Sequence, residues 1–413
     1  MSRTCLSILL VLCLTWLVFL SILTSSIPAV KASGSIYIRV DGSVDPPTAP
    51  IQRSGDVYSL TGNITSDANA IRIERNNMTI DGQGYTVQGP GPSGGFGFLL
   101  NNTGNVTIRN INIRSFYIGI RIFWFTNNSK IIGNNITENS DGIQILESSS
   151  NTTISGNTLK DNINSGVWIE NSSNNNTISE NSLTNNGHGV MLKMSNYNTV
   201  SKNNITGGYG VGLDRAFSNS VSENNVSGSP YGIMLVESST YNTVSRNNIN
   251  GSIWIGVRLY EGSGSNDIFD NNITNSGIGV GLERGCPSNS IIGNDIAFNA
   301  KGISIDDSSN NQIYHNRIRN NTDQVDTDQS VNVWDNDFPS GGNYWSDYTD
   351  ADKYSNATEI DASGLWNTPY VIETGNKDNY PLIPEFSSFL ILPLFTMATL
   401  LVVILYKRRN AVC

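Results

Sequence analysis

A short repeat, copied along most of the chain, limits what this sequence can fold into more than any other feature. In nearly every copy an aliphatic residue is followed three positions later by Asn, and a second aliphatic residue comes two positions after that Asn. The copies succeed one another at steps of 20 to 24 residues. Their first aliphatic residues are Ile108, Ile131, Ile154, Ile178, Val200, Val221, Val244, Ile268, Ile291, Ile313 and Val333.

Each copy also contains a Gly that opens a triplet with aliphatic residues at its first and third positions. In Gly142 followed by Ile143-Gln144-Ile145, as in the equivalent segments, the period of two is typical of a strand with one buried face. A unit of this length has no room for a crossover helix and cannot bury its apolar face alone, so the copies must stack. The sequence therefore predicts an all-β fold, a right-handed single-strand parallel β-helix of about eleven coils.

Stacking makes a column of every repeated position. Successive coils lie about 4.8 Å apart, so the Asn residues, from Asn134 to Asn336, can join their side chains by hydrogen bonds along the stack. Gly suits the tight corner at which the chain changes face. The patterns of leucine-rich repeats and of calcium-binding nonapeptide rolls are absent from the sequence.

The two ends of the chain differ from the repeats. Arg3 precedes an apolar run and a small-residue segment ending at Ala32, which is the pattern of a secretory signal cut after Ala32 or of an uncleaved anchor helix. An apolar stretch over 389–406 precedes a basic cluster, as in a transmembrane helix with a cytoplasmic flank. We expect an extracellular body anchored in the membrane by its C-terminus. The predicted parts are a signal peptide with its helix (1–32), an N-terminal cap with the first coils (33–104), the β-helix repeats (105–338), a C-terminal cap (339–383) and a tail with the transmembrane helix (384–413).

Charge and composition exclude two classes of protein. The chain has 25 Lys and Arg against 35 Asp and Glu, a net charge of -10, so we expect no nucleic-acid partner. The abundant Asn is a poor helix former, which excludes a mainly helical fold. Cys286 is the single Cys of the predicted exported part, so an intramolecular disulfide is excluded there, and many Asn-x-Ser/Thr sequons allow glycosylation.

The repeats over about 105–338 resemble those of the carbohydrate-binding and sugar-hydrolysis domain family, and most closely those of NosD-like periplasmic copper-binding proteins. Gly-Asn-Tyr-Trp-Ser-Asp-Tyr at 342–348 resembles the end of archaeal members. Pro384, Glu385 and Phe386, placed before the apolar stretch and the basic cluster, resemble the archaeal PEF-CTERM sorting signal. These resemblances imply a parallel β-helix, copper as a ligand to be tested, and an archaeosortase-like processing enzyme as a partner.

Asp141 and His188 are the candidate catalytic residues. Asn139-Ser140-Asp141-Gly142 and Gly187-His188-Gly189 are similar to two motifs of polygalacturonases, which use acidic residues on consecutive coils. That chemistry needs carboxylates gathered around the glycosidic bond, whereas the intervening coil reads Asn164-Ser165-Gly166. Both residues also occupy the variable position before the corner Gly, where the repeat alone explains them. A polysaccharide hydrolase or lyase and a protein without enzymatic activity both stay open.

Five aromatic residues, of which Trp168 is expected to project outward, are the candidate carbohydrate-binding residues. Flat rings at regular spacing along a rigid groove can contact sugar rings, or they can simply cover the turns. The first interpretation predicts a structural or adhesive protein whose partners are glycans or surface-layer components. The five residues are Trp168, Tyr209, Tyr231, Trp254 and Tyr260.

The sequence contains candidate ligands for two metals, calcium and copper. Stacked carboxylates on successive coils repel one another, so either a bound Ca²⁺ relieves the repulsion or the edge is solvated. Copper needs clustered His, Cys or Met, and His188, Met191 and Met194 form one short run. Met234 lies two coils beyond Met191, about 10 Å away by coil spacing, which is too far to share one ion. The candidate calcium ligands are Glu283, Asp306, Asp307, Asp326 and Asp328.

Overall fold

The structure is a computed structural model, and it describes residues 30–32, 34–328, 330–348 and 358–383. Strands and turns make up this part of the chain, which contains no helix. Three long sheets surround one apolar interior, and each coil contributes a strand to each sheet in turn. The predicted parallel β-helix is confirmed.

The first sheet has fourteen strands, all paired in parallel. In spatial order they are Val30–Ala32, Ile64–Ser66, Thr86–Gln88, Asn112–Arg114, Asn135–Thr137, Thr158–Lys160, Ser182–Thr184, Asn204–Thr206, Asn225–Ser227, Asn248–Asn250, Asn272–Thr274, Asp295–Ala297, Arg317–Arg319 and Tyr344–Trp345.

The second sheet also has fourteen strands, of which only the first, Val44–Asp45, is antiparallel to its neighbour. The order continues with Ile36–Ile38, Ile71–Ile73, Phe96–Asn101, Ile118–Phe123, Asp141–Ile145, Ser165–Glu170, His188–Lys193, Tyr209–Asp214, Tyr231–Val236, Ile255–Tyr260, Ile278–Glu283, Lys301–Asp306 and Asp323–Asp328.

The third sheet has thirteen strands and begins with an antiparallel pair, Ile51–Ser54 and Val57–Leu60. The parallel strands that follow are Met78–Asp81, Val106–Arg109, Lys130–Ile132, Thr153–Ser155, Thr177–Ser179, Thr199–Ser201, Ser220–Ser222, Thr243–Ser245, Asp267–Phe269, Ser290–Ile292 and Gln312–Tyr314. A separate antiparallel hairpin, Tyr370–Glu373 with Asn376–Asp378, lies near the C-terminal end of the described chain.

The β-helix is longer than the sequence predicts. The thirteen parallel strands of the second sheet correspond to thirteen coils, whereas the repeat indicates about eleven. The additional coils lie at the N-terminal end, where Ile36–Ile38 pairs in parallel with Ile71–Ile73. Their strands have the same buried-intermediate-buried alternation as the repeats, but irregular loops separate them, so no constant step reveals them.

The Asn column forms as predicted and holds successive coils together. From Asn134 to Asn316, each side-chain Nδ2 donates to Oδ1 of the next Asn at 2.9 to 3.0 Å. The backbone N–H of each donates to the same oxygen, as Asn224 does to Asn247. Hydrogen bonds along the column therefore satisfy buried polar groups that the tight turns would otherwise leave unpaired.

The last copy of the repeat departs from the predicted register. Val333 is 52% exposed, and its neighbour Trp334 is buried instead. The Asn column ends on Asn343, which accepts the hydrogen bond from Asn316, and not on Asn336. The chain between these two positions forms an extra turn before Tyr344–Trp345 joins the first sheet.

The corner Gly lies within a strand and not at the tight corner expected from the sequence, since Gly142 is the second residue of Asp141–Ile145 and has no positive φ. It is required instead by close approach between coils. A Cβ atom at Gly142 would lie 2.6 Å from the carbonyl oxygen of Gly166 and 3.0 Å from Leu159 Cδ2. Neither distance leaves room for a side chain, so Gly at this position allows consecutive coils to pack at strand spacing.

Most of the predicted signal segment and the whole predicted tail lie outside the described residues. Val30–Ala32, which the predicted cleavage would remove, pairs in parallel with Ile64–Ser66. Among the described residues, no helix has the length and apolar character needed to cross a membrane. Pro384, Glu385 and Phe386 also lie outside the described part of the chain.

Candidate functional site

A cleft of about 490 Å³ opens on the outer face of the second sheet, and its volume is typical of small-molecule sites. It brings together four residues that the sequence indicates for two separate reasons, the catalytic candidates Asp141 and His188 and the aromatic candidates Trp168 and Tyr209. Gln144, Ile163, Asn164, Glu170 and Gly187 complete the lining.

The register of the second sheet positions these side chains. Asp141, Ser165, His188 and Tyr209 are partners on four successive coils, all at the position before the corner Gly. Because parallel strands keep equivalent positions in one line, the four residues form a column along the axis. Asp141, His188 and Tyr209 of this column line one side of the cleft.

Asp141 is the buried acid of the cleft, with 5% of its surface exposed. Its Oδ1 atom has no hydrogen-bond partner. Burial raises the pKa of Asp141, and the neighbouring polar groups of Asn164 and Ser165 oppose the shift in part. Its carboxyl group therefore retains a proton more readily than an exposed Asp does.

His188 is the second titratable group of the column. Its ring stacks on Tyr209, with centroids 4.9 Å apart, and its Nδ1 atom is buried without a partner. Burial lowers the pKa of His188, which favours the neutral imidazole. Ser165 lies between Asp141 and His188, an order unlike that of a nucleophilic triad, in which His stands between Ser and Asp.

The two carboxylates of the cleft are far apart. Glu170 lies five residues along the strand from Ser165, the register partner of Asp141, which corresponds to about 16 Å of extended backbone. Glycosidases hold their carboxylate pairs about 5 to 9.5 Å apart. The backbone spacing therefore does not favour Asp141 and Glu170 as a glycosidase pair.

Trp168 provides the aromatic surface inside the cleft. Its Nε1 donates to Glu170 Oε2 at 2.9 Å, and Lys193 Nζ lies 3.6 Å from Glu170 Oε1. The same Lys193 Nζ is 5.9 Å from the centroid of the Trp168 ring. Trp168 is thus held in one orientation by a charged pair and keeps its ring within the cleft.

The other aromatic candidates pack on one another. Tyr209 lies between His188 and Tyr231, whose ring is stacked at 6.0 Å and 15°, so Tyr209 does not present the flat face expected from the sequence. In-register rings on adjacent strands face each other, which explains the difference. Tyr231 continues to Trp254 at 5.0 Å, and both residues lie beyond the cleft.

Tyr260 is also outside the cleft. The guanidinium carbon atoms of Arg258 and Arg284 lie 4.0 and 5.0 Å from its ring centroid. The ring is therefore engaged in cation–π contacts within the protein.

The acidic column is present in the register but is partly neutralised. Glu283 pairs with Asp306, and Asp306 with Asp328, on successive strands. Glu283 accepts a hydrogen bond from Arg258 Nε at 2.9 Å, and Asp326 forms an ion pair with Lys301. Over the described ranges, no group of three or more His, Cys, Asp and Glu is arranged to hold a metal ion. Ca²⁺ binding at Glu283, Asp306, Asp307, Asp326 and Asp328 stays a prediction.

The soft donors are distributed differently from the sequence expectation. Met191 and Met234 flank Gly212 in register, and the ends of both side chains lie within 4 Å of where a Gly212 Cβ would be. The two residues lie two coils apart, as expected, but Gly212 leaves a gap into which both side chains extend, so their ends lie closer together than the coil spacing of about 10 Å. His188 is about 10 Å along the strand from Met191, and the Cys286 Sγ is hydrogen-bonded to Glu283 O. Thioethers are ligands for Cu(I), but in the described part of the chain two of them without a nearby imidazole or thiolate supply too few donors for a copper site.

Sequence reasoning missed Gln144, Asn164 and Glu170. Gln144 and Trp168 occupy the same middle position of the aliphatic triplet on adjacent coils, and the structure pairs them. Listing outward positions coil by coil, beside the inward ones, would have indicated this neighbourhood from the repeat alone.

Comparison with known proteins gives one family and several similar folds. The family model described as "Periplasmic copper-binding protein (NosD)" matches residues 54–255, 174–285 and 209–350. The periplasmic alginate epimerase AlgG is similar in structure, with 17% identity over 73% of this chain and 84% of that chain and a TM-score of 0.48. The A-module of mannuronan C-5 epimerase AlgE6 from Azotobacter vinelandii has 16% identity over 73% and 89%, with a TM-score of 0.40.

The tailspike protein gp208 of Dettilon has 14% identity over 62% of each chain and a TM-score of 0.44. No curated protein matches this chain in sequence.

Proposed function

The chain belongs to the family described as periplasmic copper-binding proteins (NosD), and on this scaffold we propose that it is an exported protein that binds carbohydrate in the cleft around Trp168. The observation that carries the proposal is the Trp168 ring, held in place by Glu170 and surrounded by polar side chains. Its role is adhesive or structural, at the outer surface of the cell.

The chemistry of the lining supports this proposal. A sugar ring has an apolar face of C–H groups and a rim of hydroxyl groups. Trp168 offers an aromatic surface to the face, while Gln144, Asn164, Asp141 and Glu170 offer amide and carboxyl groups to the hydroxyls.

Export and anchoring form part of the same proposal. The apolar run before Ala32, the apolar stretch over 389–406 and its basic flank support secretion and C-terminal membrane attachment. Pro384, Glu385 and Phe386 support processing by an archaeosortase-like enzyme. The family description, a periplasmic protein, agrees with a location outside the cytoplasm.

A polysaccharide hydrolase or lyase is the second candidate. Asp141 and His188 line the same cleft, and burial moves the pKa of Asp141 upward and the pKa of His188 downward. Titratable groups with shifted pKa values in a cleft are candidates for acid–base catalysis. The family description also suggests copper handling. This function is less favoured because the described His, Met and Cys side chains do not come together in one site.

Glycan binding is tested on the full-length protein. A panel of polysaccharides and oligosaccharides is screened for binding, and the affinity of the best ligand is measured by calorimetry. We expect Trp168→Ala to lower this affinity at least tenfold, in the range of one lost aromatic contact, about 1.5 kcal/mol. Tyr231→Ala is the matched control, since Tyr231 lies in the aromatic column but outside the cleft.

The outcomes separate the candidates. Equal loss in both variants, or no binding to any glycan, contradicts the proposal. Release of reducing ends or of unsaturated products from the bound polysaccharide identifies an enzyme instead, and Asp141→Asn and His188→Ala then assign the acid and the base.

A further inference from the structure

Arg121 lies one coil before the cleft, on the same outer face of the second sheet. It is the register partner of Gln144, which in turn is the partner of Trp168. Since adjacent strands are about 4.8 Å apart, Arg121 and Trp168 are separated by roughly 10 Å along the axis. Gln144 lines the cleft, so Arg121 borders the cleft at its N-terminal end.

The guanidinium of Arg121 lies beside two aromatic rings. Its Cζ lies 5.0 Å from the centroid of Phe96 and 5.1 Å from that of Phe123. The residue is half-buried, and its Nε atom is buried without a hydrogen-bond partner. Burial lowers the pKa of Arg121, but an arginine keeps its charge in a protein.

Arg121 differs from the other arginines of the described chain. Apart from Arg121 and Arg317, each of them makes a hydrogen bond or an ion pair through its side chain, and Arg317 is exposed to solvent. Among these arginines, Arg121 alone is partly buried without a hydrogen bond or ion pair. Its charge is stabilised by the cation–π contacts and by the more distant carboxylate of Glu147. A desolvated cation without an ion-pair partner is unfavourable, so the Arg121 guanidinium favours the binding of an anion.

We propose that the ligand of the cleft is an acidic glycan, and that Arg121 binds its carboxylate or sulfate group while another sugar residue lies on Trp168. This inference rests on the proposed function. The rings of Phe96 and Phe123 lie beside the guanidinium, whose planar fork of N–H donors suits two-point binding of a carboxylate or sulfate.

The distribution of charge limits where the acidic group lies. Asp141 and Glu170 line the cleft itself, and a second anion placed there would be repelled. The ligand therefore carries an anionic sugar at the Arg121 end and neutral residues over Trp168. A uniformly charged polyuronate fits this pattern less well than a glycan with spaced or terminal acidic residues.

Three oligosaccharides with the same neutral backbone test the inference on the full-length protein. One is unmodified, one ends in a uronate and one carries a sulfate at the same end. Calorimetry at low ionic strength is expected to give at least about tenfold tighter binding for one of the charged forms, the range of a hydrogen bond to a charged group. The two charged arms show whether the carboxylate or the sulfate is the preferred anion.

Arg121→Gln is expected to reduce this preference to less than about twofold and to leave binding of the neutral form unchanged. Arg121→Lys, which keeps the charge but loses the planar fork, is expected to retain part of the preference. Arg114→Gln is the control, because Arg114 is an exposed arginine on the preceding strand of the first sheet. Its preference should equal that of the unmodified protein.

Each result has one meaning. Equal affinity for neutral and charged forms, or a preference that survives in both Arg121 variants, overturns the inference and leaves glycan binding intact. Failure of all three oligosaccharides and of the wider panel to bind overturns the proposed function as well.

Discussion

Trp168 Nε1 donates a hydrogen bond of 2.9 Å to Glu170 Oε2, two residues further along the same strand. Alternation along a strand places both side chains on the outer face, so the bond forms within one strand. Lys193, on the next coil, lies 3.6 Å from the same carboxylate and holds it in position. The orientation of the aromatic surface therefore depends on two neighbouring charges.

Removal of that carboxylate tests this dependence. In Glu170→Ala the indole loses its acceptor and Lys193 loses its partner, so we expect glycan affinity to fall about three- to tenfold, or roughly 1 kcal/mol. Glu170→Gln keeps an acceptor oxygen and should retain most of the affinity. Calorimetry gives the affinity, and Trp fluorescence reports the ring. Unchanged affinity in the Ala variant would show that the ring is positioned by packing alone.

The Asn column makes a separate prediction about stability. The side chain of Asn224 donates to Asn247 Oδ1 and to Val200 O, and its Oδ1 accepts from Asn203. Asn224→Ala leaves several buried groups unpaired, so we expect a loss of about 3 kcal/mol. Urea unfolding followed by circular dichroism measures this loss.

The neighbouring residue is the matched control for this variant. Asn225 is exposed and makes a similar side-chain bond to Asn204 in the solvent. Asn225→Ala should cost less than about 1 kcal/mol, because water replaces the lost partner. Similar losses for the two variants would contradict a special role for the buried column.

Asp141 is expected to show a conflict between stability and binding. Burial raises the pKa of Asp141, so its ionised form is disfavoured in the folded protein. Asp141→Asn removes the charge at nearly equal volume, and we expect the free energy of unfolding at pH 8 to rise by about 1 kcal/mol. Glycan affinity should fall at the same time. A variant that is less stable at pH 8 contradicts the assignment of a buried, costly charge.

Asp378, on the C-terminal hairpin, makes the stability of the protein depend on pH. It is fully buried, and burial raises its pKa to about 7, although hydrogen bonds from Asn343 N and Trp345 Nε1 lower it in part. Because the folded pKa exceeds the unfolded value of 3.8, the folded protein binds the extra proton between these pH values. The Asp378 contribution to stability is therefore complete below about pH 4 and is lost as the pH rises towards 7.

Urea midpoints measured from pH 4.5 to pH 8 test this sign. The stability of the unmodified protein minus that of Asp378→Asn should decrease as the pH rises and become constant above about 7. A difference that grows with pH would indicate that the hydrogen bonds to the carboxylate outweigh its burial.

The repeat made the interior of the β-helix predictable. Ile131 lies three residues before Asn134 and Ile136 two residues after it, and both are buried as expected. Asn134 starts the expected column of hydrogen-bonded Asn side chains. Such positions are predictable because each coil presents the same side chain to the same neighbours. The count of coils was too low because the N-terminal coils around Ile36 and Ile71 have the alternation but not the constant step.

The surface was less predictable than the interior. The sequence indicated Asp141 and His188 as catalytic candidates and, for a separate reason, Trp168 and Tyr209 as aromatic candidates. That they line one cleft depends on the register of four strands. That Tyr209 has both faces covered depends on its two neighbours in the column, His188 and Tyr231.

By itself, the sequence determined the class of fold, the parallel stacking of the coils and the columns of side chains that hold them together. These features follow from local alternation and from a repeated unit that buries its apolar side only by stacking. The tertiary structure alone decided the site, because outward positions vary from coil to coil and their environment consists of residues more than twenty positions away. The environment of Arg121 is such a feature, because alternation along its own strand places Phe123 beside it, whereas Phe96 comes from the preceding coil.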